Sequence, residues 1–164
     1  MASGDTLAIF TPQANQPPAT NYAALSVRNG HLVLAFDTTT QQTAIFAGVM
    51  PRNYSGGGIT VYLRWMAASA TSGTGGWDVT FERDADAGDD MDADSWATAQ
   101  TVTAVTVPGT SGVLKVSSVA ITAGATGTDS IAVGDGFRLR IRRDVASDTA
   151  AGDLHLVDVE CKES

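Results

Sequence analysis

The sequence holds one cysteine, Cys161, and only two histidines, His31 and His155. A lone thiol forms no intramolecular disulfide, and no CxxC or zinc-ligand spacing surrounds it. Packing must therefore hold the fold, and the composition suits a protein folded in a reducing cytosol. Neither histidine belongs to an HExxH pair, and no GxSxG serine is present. Ser55 is followed by Gly56, Gly57 and Gly58, but the elbow pattern before it is missing. The same stretch lacks the Lys and Ser/Thr of a phosphate loop. No Asp or Glu is singled out as half of a glycosidase pair. No catalytic, cofactor-binding or metal-ligating residue is assigned, and the chain is expected to be non-enzymatic with no cofactor.

Basic residues are scarce as well, with 10 Lys and Arg against 18 Asp and Glu, for a formal charge of -8. Nucleic-acid binding depends on basic side chains that displace counterions, so no nucleic-acid partner is expected. Anionic membrane surfaces are disfavoured for the same reason. No apolar run approaches the ~20 residues of a helical membrane span. The opening Met1-Ala2-Ser3-Gly4-Asp5 has neither the basic start nor the apolar stretch of a signal peptide.

Long helical periodicity is missing too; at most a helical turn is expected at Asp92–Ala99 or Asp129–Val133. What is present is period two. Phe137-Arg138-Leu139-Arg140-Ile141-Arg142 alternates apolar and cationic residues, as a strand with one buried face does. Ile59, Val61, Leu63 and Trp65 form one face of a second strand, with Thr60, Tyr62, Arg64 and Met66 opposite. Trp77, Val79 and Phe81 alternate with Asp78, Thr80 and Glu82, which makes Trp65 and Trp77 core residues. Further strands are expected at Thr6–Phe10, Ala23–Arg28, His31–Phe36, Thr43–Met50, Thr101–Val107, Val113–Ile121 and Leu154–Cys161. Asn29-Gly30 supplies the positive-φ pair of a two-residue hairpin turn between Ala23–Arg28 and His31–Phe36.

Ten or so short strands separated by turns predict an all-β, single-domain antiparallel β-sandwich, in a jelly-roll or related Greek-key arrangement. Residues 1–22 read as an N-terminal strand and extended arm, and residues 23–164 as the sandwich. The arm, Thr11–Tyr22 with Pro17-Pro18 at its middle, can lie across its own domain or a neighbour's. His31–Phe36 and Thr43–Met50 are apolar on both faces, which asks for a loop or another subunit over the second face.

Three clusters invite a functional reading. Asp84, Asp86, Asp89, Asp90, Asp92 and Asp94 crowd one loop, yet glycine and the closing glutamate miss their calcium-loop positions. A solvated, self-repelling loop is expected there, with a cation site as the alternative. Arg138, Arg140 and Arg142 share a strand face, where ion pairing with Asp78, Glu82 or an acidic loop is expected. Trp96, Tyr22, Tyr54 and Tyr62 remain as aromatic platforms, and a sugar-binding reading expects Tyr54 and Trp96 on one exposed surface.

The runs Thr6-Leu7-Ala8-Ile9-Phe10-Thr11-Pro12 and Pro17-Pro18-Ala19-Thr20-Asn21-Tyr22-Ala23 resemble small virion proteins of tailed bacteriophages. So do Arg28-Asn29-Gly30-His31, Phe46-Ala47-Gly48-Val49-Met50-Pro51-Arg52 and the segment from Asp129-Ser130-Ile131-Ala132 to Arg143-Asp144. The resemblance implies a head decoration, or cement, protein on the capsid exterior, assembled in the host cytoplasm. It further implies the major capsid protein as partner and a homo-oligomer, a trimer, as the working form. Two alternatives stand beside it: a tail, baseplate or fibre-associated protein, and a carbohydrate-binding receptor-recognition module.

Overall fold

The computed structural model describes residues 4–164. Its strands are β1 Thr6–Phe10, β2 Ala24–Arg28, β3 His31–Phe36, β4 Thr43–Val49 and β5 Ile59–Ala67, then β6 Thr74–Asp84, β7 Gln100–Thr106, β8 Lys115–Ile121, β9 Gly136–Arg143 and β10 Leu154–Glu163. Sheet A runs β2-β3-β10-β5-β8, with β1 also paired to β10; sheet B runs β4-β9-β6-β7. All ladders are antiparallel. The pairings β6·β7, β5·β8, β4·β9 and β3·β10 nest inside one another along the chain. β3 to β10 therefore form one long ribbon folded over itself, and the fold is a jelly-roll β-sandwich. Among the described residues the one helical turn is a 3-10 turn at Pro12–Ala14. Asp92–Ala99 and Asp129–Val133, the expected helical turns, are irregular or simple turns instead.

Alternation fills the core from both sheets. Phe137, Leu139 and Ile141 of β9 point inward, while Arg138, Arg140 and Arg142 point out. Trp65 and Trp77 are fully buried and meet with ring centroids 6.0 Å apart. The Trp65 indole N–H donates to Ser117 Oγ at 2.9 Å, so its polar atom is satisfied inside the sandwich. The hairpin turn forms at Asn29-Gly30, with φ of 47° and 80°, and places Arg28 opposite His31.

Of the two doubly apolar strands, β3 is covered from within the chain, whereas β4 keeps Ala47 and Val49 exposed on its outer face. β3 pairs with β10 only over Leu34–Phe36; beyond it, β1 takes that side of β10 from Val159 onward. The freed hairpin tip reaches toward the far strands of sheet A, where Arg28 Nη1 donates to the Ala67 and Ala68 carbonyls at 3.1 and 2.9 Å. Val33, on the outer side of β3, is left with no exposure. On β4 the arm pairs with the free edge and leaves the outer face open. Gln16 donates its backbone N–H to Ile45 O at 2.7 Å, and Asn15 Oδ1 accepts from Ile45 N–H at 2.9 Å. Ala23 N–H and Asn21 O then bond Thr43. The arm thus lies on its own domain, along the free edge of β4.

Arg143 continues the inward parity of β9 and is fully buried. Its guanidinium grips Asp148 through Nε and Nη2, each at 2.8 Å. It also donates to the carbonyls of Phe36, Gly152 and Ala150. One side chain thereby ties the β9–β10 loop to the end of β3.

Candidate functional site

The clusters singled out in the sequence are mostly engaged in structural pairing. On sheet B the register sets Asp78 opposite Arg142, Thr80 opposite Arg140 and Glu82 opposite Arg138. Arg138 Nε donates to Glu82 Oε2 at 2.6 Å, and Arg142 pairs with Asp78 at 3.4 Å. The acidic loop returns to this stripe: Asp94 pairs with Arg138, and Glu82 accepts the Ser95 backbone N–H. Trp96 follows, with the Arg138 and Arg140 guanidinium carbons each 4.6 Å from its ring centroid. The expected ion pairing is therefore internal, and the Arg138 bond holds the Asp94 carboxyl below its usual range. Asp86, Asp89, Asp90 and Asp92 stay exposed. Among the described residues no group of three or more His, Cys, Asp or Glu is arranged to hold a metal ion.

Tyr54 and Trp96 do not share a surface, contrary to the sugar-binding expectation. Tyr54 is buried in the core, and its hydroxyl donates to Gly57 O. Trp96 is occupied by the arginines of sheet B. Cys161 is buried, and burial pushes its thiol up to about 12, which removes it as a nucleophile.

The outer face of sheet A is different, because its polar groups are ordered and still reachable. Tyr62 lies between Glu160 on β10 and Ser118 on β8, and Ile9 of β1 extends the row beyond Glu160. The next row holds Asp158, Arg64 and Val116; the row on the other side holds Thr6, Lys162, Thr60 and Ala120. Strand spacing makes this array about 14 Å across four strands. Ile9, Tyr62, Arg64, Val116, Asp158 and Glu160 line an open depression of about 370 Å³. Asp158 accepts from Arg64 Nε at 3.2 Å and from Arg64 Nη2. Glu160 accepts from Thr6 Oγ1 at 2.8 Å. Ile9 and Val116 are 64% and 55% exposed, so apolar rims flank a preordered polar floor.

A second depression, of about 290 Å³, continues the same face toward the hairpin tip. Arg28, Asn29, His31, Met66, Leu114 and Val157 line it. His155 stands near its floor in register with Ala35 and Met66. Desolvation, then Arg28, lowers the His155 pKa below its ordinary value, against a smaller opposing pull from Asp153. Because the folded value is depressed, the unfolded chain takes up the proton first as pH falls. Stability is then fully present above about pH 6.5 and declines below it. A His155→Phe variant is expected to lose less stability than the parent between pH 7.5 and 5.5, measured by urea unfolding. Parallel curves would remove His155 from that dependence.

No family model matches the sequence, and no curated protein matches it. Solved structures do resemble it in fold. One is the CBM22-1–GH10 portion of the Clostridium thermocellum endo-1,4-beta-D-xylanase 10B, complexed with xylohexaose. It shares 12% identity at a TM-score of 0.50, over 98% of this chain and 29% of that one. A CBM35 from Cellvibrio japonicus shares 9% identity at a TM-score of 0.45, over 98% and 87% of the two chains. The CBM22-1 xylan-binding domain of a Paenibacillus barcinonensis protein shares 12% identity at 0.41, over 100% and 99%. At these identities the likeness concerns the jelly-roll fold.

Proposed function

We propose that this protein is a carbohydrate-binding domain whose ligand, a neutral polysaccharide, lies across the outer face of sheet A. The observation that carries the reading is the Tyr62 array. A sugar ring offers an apolar C–H face and a rim of hydroxyls. Tyr62, Ile9 and Val116 suit the first, while Arg64–Asp158 and Glu160 suit the second with their orientation already fixed. Arg64 and Lys162 balance Asp158 and Glu160, so the floor favours neither an anionic nor a cationic ligand. The depression is partly open to solvent, which suits a segment of a longer chain. The similar fold of the xylanase CBM22-1–GH10 portion complexed with xylohexaose supports this reading.

The capsid-decoration reading came from the resemblance to phage virion proteins, with the arm and the doubly apolar strands as features in accord with it. The arm lies along β4 of its own domain and Val33 is covered within the chain, while Ala47 and Val49 stay exposed on β4; no structural neighbour supports the capsid role. Isothermal titration against soluble xylan, mannan and β-glucan tests the proposal. Binding to at least one is expected, and Tyr62→Ala should weaken it by roughly tenfold or more with Tm unchanged. Absence of binding across the panel, or full affinity in Tyr62→Ala, would overturn it.

A further inference from the structure

β2 ends sheet A, and the side of it away from β3 carries no neighbouring strand. Among the described residues, no turn or loop backbone hydrogen bond reaches Ala24–Arg28. Natural edge strands are commonly blunted by lysine, proline or a bulge. This one reads Ala-Leu-Ser-Val-Arg and has a regular register with β3. Its only charge, Arg28, is drawn away to the Ala67 and Ala68 carbonyls. Leu25 and Val27 share the side of β2 that faces the sandwich interior, since they oppose Leu34 and Leu32. Sheet B ends at β4, so no strand covers that side, and Leu25 and Val27 remain 57% and 63% exposed.

We infer that β2 is a self-association edge that pairs antiparallel with β2 of a second copy across a two-fold axis at Ser26. Register selects this axis. A two-fold axis normal to the sheet matches inner faces with inner faces only when it passes through a residue. Centred on Ser26, the pairing uses every residue of the strand. Ala24 meets Arg28 of the second copy, Ser26 meets its own counterpart, and Leu25 meets Val27 twice. Both exposed apolar residues then gain a cross-strand partner of their own kind. The two sheets A become one continuous sheet, with both outer faces on the same side. A dimer of this form presents two copies of the Tyr62 array to one polymer, so avidity follows without a new contact. The pairing itself stands independently of what that array binds.

Sedimentation across a concentration series tests it. The expected result is a species of twice the 16.9 kDa chain mass, converted to monomer by Val27→Lys with circular dichroism and Tm unchanged. Ser26→Cys should give a reducible dimer under mild oxidation, because the two-fold sets the new thiols opposite one another. Thr126→Cys, exposed on the loop after β8 at the opposite edge of sheet A, should not, and the buried Cys161 does not compete. A monomer at every concentration, a trimer, or a dimer indifferent to Val27→Lys would overturn the inference.

Discussion

Replacing Arg143 by methionine is expected to lower the unfolding free energy by about 3–5 kcal/mol. The side chain is fully buried, and its partner Asp148 is only 3% exposed at the side chain. Methionine fills much of the space but leaves the carboxylate charged, desolvated and without its two guanidinium bonds. The carbonyls of Phe36, Ala150 and Gly152 lose donors at the same time. Removing both charges is a different change, because a buried ion pair gains little over apolar residues of similar volume. Arg143→Met with Asp148→Leu should therefore recover part of the lost stability. Urea unfolding of the two single variants and the double variant reads this as a coupling energy. A single-variant loss under about 1 kcal/mol would show that the loop relaxes and hydrates the carboxylate.

Gly75→Ala is the second large effect, expected at about 1–3 kcal/mol from overpacking. A Cβ at this position would stand 2.5 Å from Trp65 Cη2 and 2.9 Å from Cζ3. The indole cannot step aside easily, because Trp77 lies against it and Ser117 holds its N–H. Gly109→Ala is the control, since a Cβ there meets nothing within 4 Å. Tryptophan fluorescence gives an independent readout, with a shifted emission expected only for Gly75→Ala. Equal stability of both variants would mean that the core has slack beside Trp65.

The strands were legible because alternation is a local property. Phe137–Arg142 and Ile59–Met66 declare their faces residue by residue, and Asn29-Gly30 declares its turn. The candidate site was only half legible for the same reason. Tyr62 and Arg64 fall on the outer face by simple counting, but Asp158 and Glu160 do not. In β10 a register shift between Leu156 and Asp158 inserts Val157 and reverses the parity. Counting from Leu154 and Leu156 therefore places Asp158 and Glu160 inside, where Val159 and Cys161 lie instead. The arm illustrates a second limit. Pro17-Pro18 marks an extended segment, yet its path along β4 depends on pairing thirty residues away, which composition does not encode. Trp96 shows a third, since its cover by Arg138 and Arg140 arises only when the acidic loop folds back onto sheet B.

The most direct test of the account is a backbone amide NMR titration of the intact chain with xylohexaose and the corresponding mannan and β-glucan oligosaccharides. At least one ligand should move the amides of Ile9, Tyr62, Arg64, Val116, Asp158 and Glu160, with sheet B unmoved. Shifts confined to the acidic loop or the sheet B arginines, or no shifts with any ligand, would contradict the assignment of the outer face of sheet A as a glycan-binding surface.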